Sequence, residues 1–454
     1  MRLGWIVPRK GRVRWALVRM ALAGILLYLF RYYVIAILLL CHNFLWQRIK
    51  GTGDNNQGDI EMLLRLKEPG AKALVWIGAH NAFASASDPG ILPYLQRIVA
   101  DRKNKTELRL YALQGAGLFV DSKTLELVRA SMADPDSRIR FTAASILSEL
   151  GDERDIPLLR DRMTREELPF VRHQVERSIE LLTPGPMVEN SPRVKVAAIQ
   201  MISEFGGVDK NRASIEARVR EAAANGARIV VLPETAVQGY LPTNLKRTWQ
   251  VGNRPITPRF RGAPPDNAAE TVPGPSTDRF KALAKELSIY VTVPLLEKEP
   301  STGRFFNTLC LVTPAGELGL VYRKINPWPF AESGWASKGD KGLQTLDTEY
   351  GKLGLLICYD INFEPGNISK AGVDILLYAI AWVDQDRSNW FTTRLPRIAK
   401  EHNFSIVGAN WTVPEKPDWS GYGHTTIIHR SGRVLAKAAS DIGEEIVYAD
   451  LPVK

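Results

Sequence analysis

The sequence predicts an α/β layered domain in the C-terminal half of the chain, preceded by an all-helical repeat region and one membrane-spanning helix. Three observations predict this. After Arg193, strand-like runs alternate with helical ones; before it, a helix-pair pattern recurs at an offset of 31 residues; and Met20 to Cys41 is an almost unbroken apolar run. At 454 residues the chain is too long for one average domain, and two soluble units plus an extra segment fit it.

The first segment, residues 1–53, reads as a basic leader and anchor. Its apolar run, MALAGILLYLFRYYVIAILLLC, is interrupted only by Arg31. A buried arginine costs about 2.5–3.5 kcal/mol on insertion scales, which many Leu and Ile at about −0.3 to −0.6 each offset. The competing reading is two shorter apolar segments lying in the membrane interface. A cleavable signal peptide fits poorly, because the basic leader is long and no A-x-A site follows. Six basic residues from Arg2 to Arg19 precede the run and Arg48 and Lys50 follow it. The positive-inside rule therefore puts the N-terminus in the cytoplasm and the rest of the chain outside it, which is the periplasm if the cell is Gram-negative.

This leader also accounts for the formal charge of +10. Nine of the 59 Lys and Arg residues, and none of the 49 Asp and Glu, precede Asp54, so the remainder is close to neutral. The excess is a topology signal, and no nucleic-acid partner is expected. The three cysteines, Cys41, Cys310 and Cys358, form no CxxC or Cys/His cluster, so neither a disulfide framework nor a metal or other cofactor is expected.

Residues 54–183 read as helical repeats. Arg109-Leu-Tyr-Ala-Leu and Met132 recur as Arg140-Phe-Thr-Ala-Ala and Met163, each shifted by 31. DPDSRIRFTAASILSELGDERDIPLLRDRM resembles a HEAT-type repeat, one helix beginning near the DPDS turn and a second after GDERD; weaker copies stand at AKALVWIGAH and PFVRHQVERSIELL. Each helix pair has an apolar stripe it cannot bury alone, so the pairs stack. The region serves either as a docking surface for a protein partner or as a spacer holding the next domain off the membrane. Residues 184–193, rich in proline, read as the linker to a domain over 194–454.

In that domain VKVAAIQ, a helix begun at an Asp209 cap, and RIVVLP set the α/β rhythm. Four residues carry chemistry: Glu234 in VVLPETA, Lys324 and Glu332 in YRKINPWPFAE, and Cys358 in GLLICYD. Alone, each has a bland reading: a cysteine closing an apolar strand is usually core, and the acids and the lysine are usually solvated. Together they form a kit for attacking a carbonyl, with a thiolate nucleophile, a carboxylate to move the proton and an ammonium to neutralise the oxyanion. Glu234 and Cys358 each follow an apolar strand, where α/β folds place their chemistry.

With VKVAAIQM, ARIVVLPE, VPGPSTDRFKALAKELSIYVTV and GHTTIIHRSGRVLAKA in order around them, these residues resemble the nitrilase, or carbon-nitrogen hydrolase, superfamily from Val194 onward. The resemblance implies a four-layer αββα sandwich, a homo-oligomer, a Glu-Lys-Cys triad at Glu234, Lys324 and Cys358, and Glu332 as a second glutamate orienting the lysine and the substrate. It also implies that Cys358 sits on a tight elbow, with the Tyr359 N–H in the oxyanion hole. Trp382 and Trp328 are further substrate-binding candidates, Trp328 and Phe330 standing where many relatives have a His-Leu type sequence. His424 in GYGHTTI reads as structural.

Tyr240 to Pro275 is a long proline-rich stretch, read either as an insertion flanking the pocket or as a surface excursion. The implied activity is hydrolysis of a non-peptide amide through a Cys358 thioester. The alternatives are an N-acyltransferase using the same thioester, resembling apolipoprotein N-acyltransferase, and a scaffold whose nitrilase-like unit is inert.

Overall fold

The computed structural model describes residues 92–117, 122–187, 191–241, 247–251, 261–329, 331–382, 391, 393–415 and 422–453. The apolar run 20–41 and the repeat copy at AKALVWIGAH lie outside them. Among the described residues no helix is long and apolar enough to cross a membrane.

The helical region contains α1 (Leu92–Ala100), α2 (Thr106–Ala116), α3 (Ser122–Ser131), α4 (Ser137–Leu150), α5 (Ile156–Arg165) and α6 (Pro169–Leu182). The helix starts expected after DPDS and GDERD are those of α4 and α5. Asp152 and Asp155 build a capping box across the turn between them, and Pro157 and Pro169 occupy first-turn positions where a missing N–H costs nothing. One compact unit holds α1, α2 and Asp134–Thr142, in which Arg109 pairs with Asp134. A second compact unit holds α3 and everything from Ala143 onward.

Fourteen described strands follow. They are β1 (Arg193–Gln200), β2 (Ile229–Val231), β3 (Arg247–Trp249), β4 (Arg261–Ala263), β5 (Tyr290–Lys298), β6 (Phe305–Val312) and β7 (Leu318–Arg323), then β8 (Thr345–Thr348), β9 (Gly351–Ile357), β10 (Ile375–Ile380), β11 (Ser405–Asn410), β12 (Thr426–Ile428), β13 (Val434–Lys437) and β14 (Glu445–Pro452). The intervening helices are α7 (Val208–Ala224), α8 (Pro275–Leu287), α9 (Pro365–Lys370) and α10 (Arg394–His402). α7 begins one residue before the expected Asp209 cap; Gly207 is the cap position, and Asp209 instead pairs with Arg212 in the first turn.

Two six-stranded sheets run β14-β1-β2-β5-β6-β7 and β13-β12-β11-β10-β9-β8. The period-2 alternation of β1 assigns its faces: Val194, Val196 and Ala198 face a core shared with the second sheet, whereas Ala197 and Ile199 pack with α7 and α8. In β6, Leu309 and Leu311 point one way and Cys310 and Val312 the other. Ile368 of α9 and Leu395 and Ile398 of α10 join the core on the second sheet's side, completing four layers, α, β, β and α. Parallel β1-β2-β5 and β9-β10-β11 aim their carboxyl ends at one edge of the sandwich, where loops are free to carry side chains.

The described part of the Tyr240–Pro275 stretch is structured. β3 pairs with β4 in parallel, Trp249 stacks on Phe205 at 4.1 Å and donates to Gly239 O, and Val251 N donates to Gly334 O.

Within the second unit, the helical region is built onto α10. Thr393 Oγ1 donates to Gly151 O at 2.6 Å, Arg397 meets Glu149 at 2.7 Å, and Lys400 Nζ donates to Glu180 O and Thr183 O at 2.7 and 2.9 Å. Lys400 thus supplies donors and positive charge to the C-terminal carbonyls of α6, where the helix dipole favours a cation. Gly185 N, at the start of the expected linker, donates to Ser431 O at 2.7 Å. Replacing Lys400 with methionine keeps the aliphatic stem and removes both bonds; urea unfolding of the full chain is expected to lose about 1–2 kcal/mol.

Candidate active site

Three strand ends deliver the candidate residues. Glu234 follows β2 through Leu232 and Pro233, and its N–H donates to Ile380 O at the end of β10, tying the two sheets together at 3.1 Å. Lys324 directly follows β7, its N–H held by Asn307 O at 2.8 Å. Cys358 directly follows β9 and opens a 3-10 turn, Cys358–Asn362, with φ of 40°. A non-glycine residue in that left-handed region costs about 1–2 kcal/mol, which the surroundings must over-determine. They do so by four hydrogen bonds: Tyr378 OH donates to Cys358 O at 2.7 Å, and Asp360 accepts from Tyr322 OH, Asn326 N and Asn326 Nδ2 at 2.7 to 3.0 Å. The elbow is therefore stapled to the strand that carries Lys324.

Glu234, Lys324, Glu332 and Cys358 converge. Lys324 Nζ donates to Glu234 Oε1 at 2.6 Å and to Glu332 Oε2 at 2.5 Å, all three side chains having no solvent exposure. Glu332 Oε2 also accepts from Trp328 N, and Asn307 Nδ2 donates to Oε1 of both glutamates. Glu332 thus has both oxygens engaged. Glu234 Oε2 is buried and makes no full hydrogen bond among the described residues; the Cys358 thiol lies near enough to act on that carboxylate as a weak donor. Of the three donors on an ammonium, the carboxylates take two and one is left over.

The burial sets the proton affinities. Desolvation, opposed by Lys324 and reinforced by Glu332, pushes the Glu234 carboxyl up to about 7. Burial works against the charge on Lys324, but Glu234 and Glu332 outweigh it and raise its proton affinity. Burial and then Glu234 push the Cys358 thiol well above its usual range, while Lys324 and the Ala381 N–H act in the opposite sense. Burial raises Asp360 to about 6. The arrangement is a neutral thiol beside a carboxylate whose affinity is matched to neutral pH, the condition for general-base work.

Trp328 is half-buried against Tyr240, Ala331, Ala381, Trp411, Val413 and Tyr422. Trp382 follows β10; its N–H donates to Asn410 Oδ1 and its carbonyl accepts from Trp411 Nε1. The Tyr359 ring packs edge-on against Phe363 at 5.2 Å. Phe330 lies outside the described residues. His424 pairs with Asp441 at 2.9 Å and stacks on Phe391, apart from the convergence. Asn307, Asp360 and Tyr378 escape the reading of the sequence. Asn307 did leave a signal, since a buried asparagine inside the apolar strand FNTLCLV has few neutral explanations.

Among the described residues no cluster of His, Cys, Asp and Glu could hold a metal ion. A model of the family described as carbon-nitrogen hydrolase matches residues 195–454. The chain belongs to that family. A model of HEAT repeats matches residues 91–180 of this carbon-nitrogen hydrolase. An omega-amidase of Homo sapiens is 32% identical over 247 residues, covering 52% of the chain and 80% of the relative, and one of Danio rerio is 29% identical over 274 residues, covering 58% and 89%. Among solved structures, an amidase from Nesterenkonia sp. is 19% identical with a TM-score of 0.47, covering 59% of the chain and 93% of its own. The domain is thus an amidase-type carbon-nitrogen hydrolase.

Removing Lys324 would strand two buried carboxylates. Lys324→Met is expected to cost about 3–5 kcal/mol in denaturant unfolding at pH 8. The loss should shrink as pH falls and the carboxylates take up protons, and adding Glu332→Gln should restore part of it.

Proposed function

We propose that this carbon-nitrogen hydrolase is a membrane-anchored enzyme that hydrolyses a non-peptide amide through a thioester on Cys358, with Glu234, Lys324 and Cys358 as the triad. The observation that carries the reading is the single open oxygen of Glu234, on a carboxyl that the Cys358 thiol is near enough to act on, in a site where every other carboxylate oxygen of the two glutamates is taken. Glu234 Oε2 takes the thiol proton as sulfur attacks the amide carbon. The free donor of Lys324 and the N–H of Tyr359 stabilise the oxyanion. Collapse of the adduct breaks the carbon-nitrogen bond, the amine leaves with the proton held by Glu234, and a thioester remains. Water then gives a proton to the same carboxylate and attacks the thioester, releasing a carboxylic acid and restoring the thiol. Glu332 holds Lys324 in place, and Trp328 and Trp382 flank the substrate.

Hydrolysis is favoured over acyl transfer because relatives covering most of the domain are named omega-amidases. Anchoring by residues 20–41, with the N-terminus cytoplasmic and the domain extracytoplasmic, follows from the apolar run and its flanking charges. The helical repeats are suited to a protein partner, and homo-oligomerisation is the family expectation.

Two measurements test the mechanism. With Glu234 protonated below about 7, the base is lost, so kcat/KM on a short amide should rise about tenfold per pH unit up to a half-maximal point near pH 7 and then level off. Intact mass spectrometry on detergent-solubilised protein should detect an acyl adduct that Cys358→Ala lacks. Acyl-amine product without free acid in the presence of an amine would replace the hydrolase by a transferase, and a profile rising in the acid direction would remove Glu234 as base.

A further inference from the structure

We infer that Asn307 is the positioning residue that makes Glu234, rather than Glu332, the base, by donating to one oxygen of each carboxyl and leaving the other oxygen of Glu234 open to the thiol. This rests on the reading of Glu234 as the group that accepts the thiol proton.

The first observation is the use Asn307 makes of its amide. A primary amide has two N–H hydrogens and one carbonyl oxygen. Asn307 Nδ2 donates to Glu234 Oε1 at 2.7 Å and to Glu332 Oε1 at 2.5 Å, so both hydrogens go to carboxylates. Its Oδ1 is buried with no hydrogen-bond partner among the described residues, and the residue is only 1% exposed. An asparagine kept for packing would satisfy its acceptor, because an orphaned buried oxygen is costly. Turning the amide over would satisfy nothing, since it would aim the carbonyl at two carboxylates. The orphan is tolerated because the donors are needed where they are.

The second observation is charge. Two carboxyl groups with no solvent exposure face one ammonium, so ionising both leaves an excess of one negative charge. Two N–H dipoles offset that excess without a proton that could be exchanged, so Asn307 cannot compete as acid or base. The groups facing Glu234 from the surrounding elements are Lys324 and Glu332 after β7, Cys358 after β9, Tyr378 on β10 and Tyr240 after its own turn. Among those groups and Asn307, only Lys324 and Asn307 make hydrogen bonds of full strength to the carboxylate, and both take Oε1. Oε2 is thereby assigned to the thiol. Glu332, held by Asn307 on Oε1 and by Lys324 and Trp328 on Oε2, has no open oxygen.

The third observation is placement. Asn307 lies in β6, and its main-chain carbonyl receives the N–H of Lys324. One residue thus holds the lysine by its backbone and both acids by its side chain.

The test uses detergent-solubilised full-length protein, with propionamide as substrate and iodoacetamide as a thiol probe. In Asn307→Ala the lost donors raise the proton affinity of Glu234, so the acid limb of kcat/KM should move up by about one to two pH units. Activity should recover towards alkaline pH, with KM within about threefold of wild type. Asn307→Asp keeps the shape and adds a third carboxylate, so its limb should move further up; this variant decides the matter where the alanine fails to fold. A fall in kcat with an unmoved limb, or no change in either variant, overturns the inference. Should wild type hydrolyse no amide, the proposed function fails, yet the pH midpoint of Cys358 alkylation still reads Asn307: an upward shift in the variants sustains its role, and an unmoved midpoint overturns it.

Discussion

A buried ammonium shared by two buried glutamates is the constraint around which this domain is organised. Neither Glu234 nor Glu332 could stay ionised at zero exposure without Lys324, and Lys324 could not stay protonated there without them. The three groups come from two different stretches of chain, so their mutual dependence fixes how the end of β2, the end of β7 and the turn after it meet. The Cys358 thiol is then added from the opposite sheet, on an elbow whose strained backbone is held by Asp360 and Tyr378.

The sandwich provides the rigidity this needs. Its inner faces bury β-branched and leucine side chains from both sheets in one shared core. The N–H of Glu234 bonded to Ile380 O crosses between the sheets at that point, so a shift of one sheet against the other would move the acid relative to the thiol. The stretch after Tyr240 adds contacts, with Trp249 and Trp335 in one apolar cluster and Val251 bonded to Gly334, two residues from Glu332.

Within the second compact unit, the helical region bonds directly to the domain. The carbonyl ends of α4 and α6 meet α10, which lies just beyond Trp382 and Phe391 in the chain. Helix ends have unsatisfied carbonyls and a negative dipole end, and α10 answers them with a hydroxyl and an ammonium. Nothing in the repeat pattern announces this, because the partners are more than two hundred residues apart.

By itself the sequence determined which side chains exist to do chemistry and which local elements carry them. Periodicity placed VKVAAIQ and RIVVLP on strands and the DPDS and GDERD turns at helix starts, since these depend on neighbours a few residues away. Resemblance to a family's local motifs singled out Glu234, Lys324, Glu332 and Cys358, because each motif is a short run of neighbouring residues. Only the tertiary structure decided which oxygen of which glutamate is open, that Asn307 bridges both acids, and that Asp360 staples the elbow to the lysine strand. Those facts are hydrogen bonds between residues 25 to 73 positions apart, and a donor's choice between two acceptors is settled by where the packed sheets leave each one.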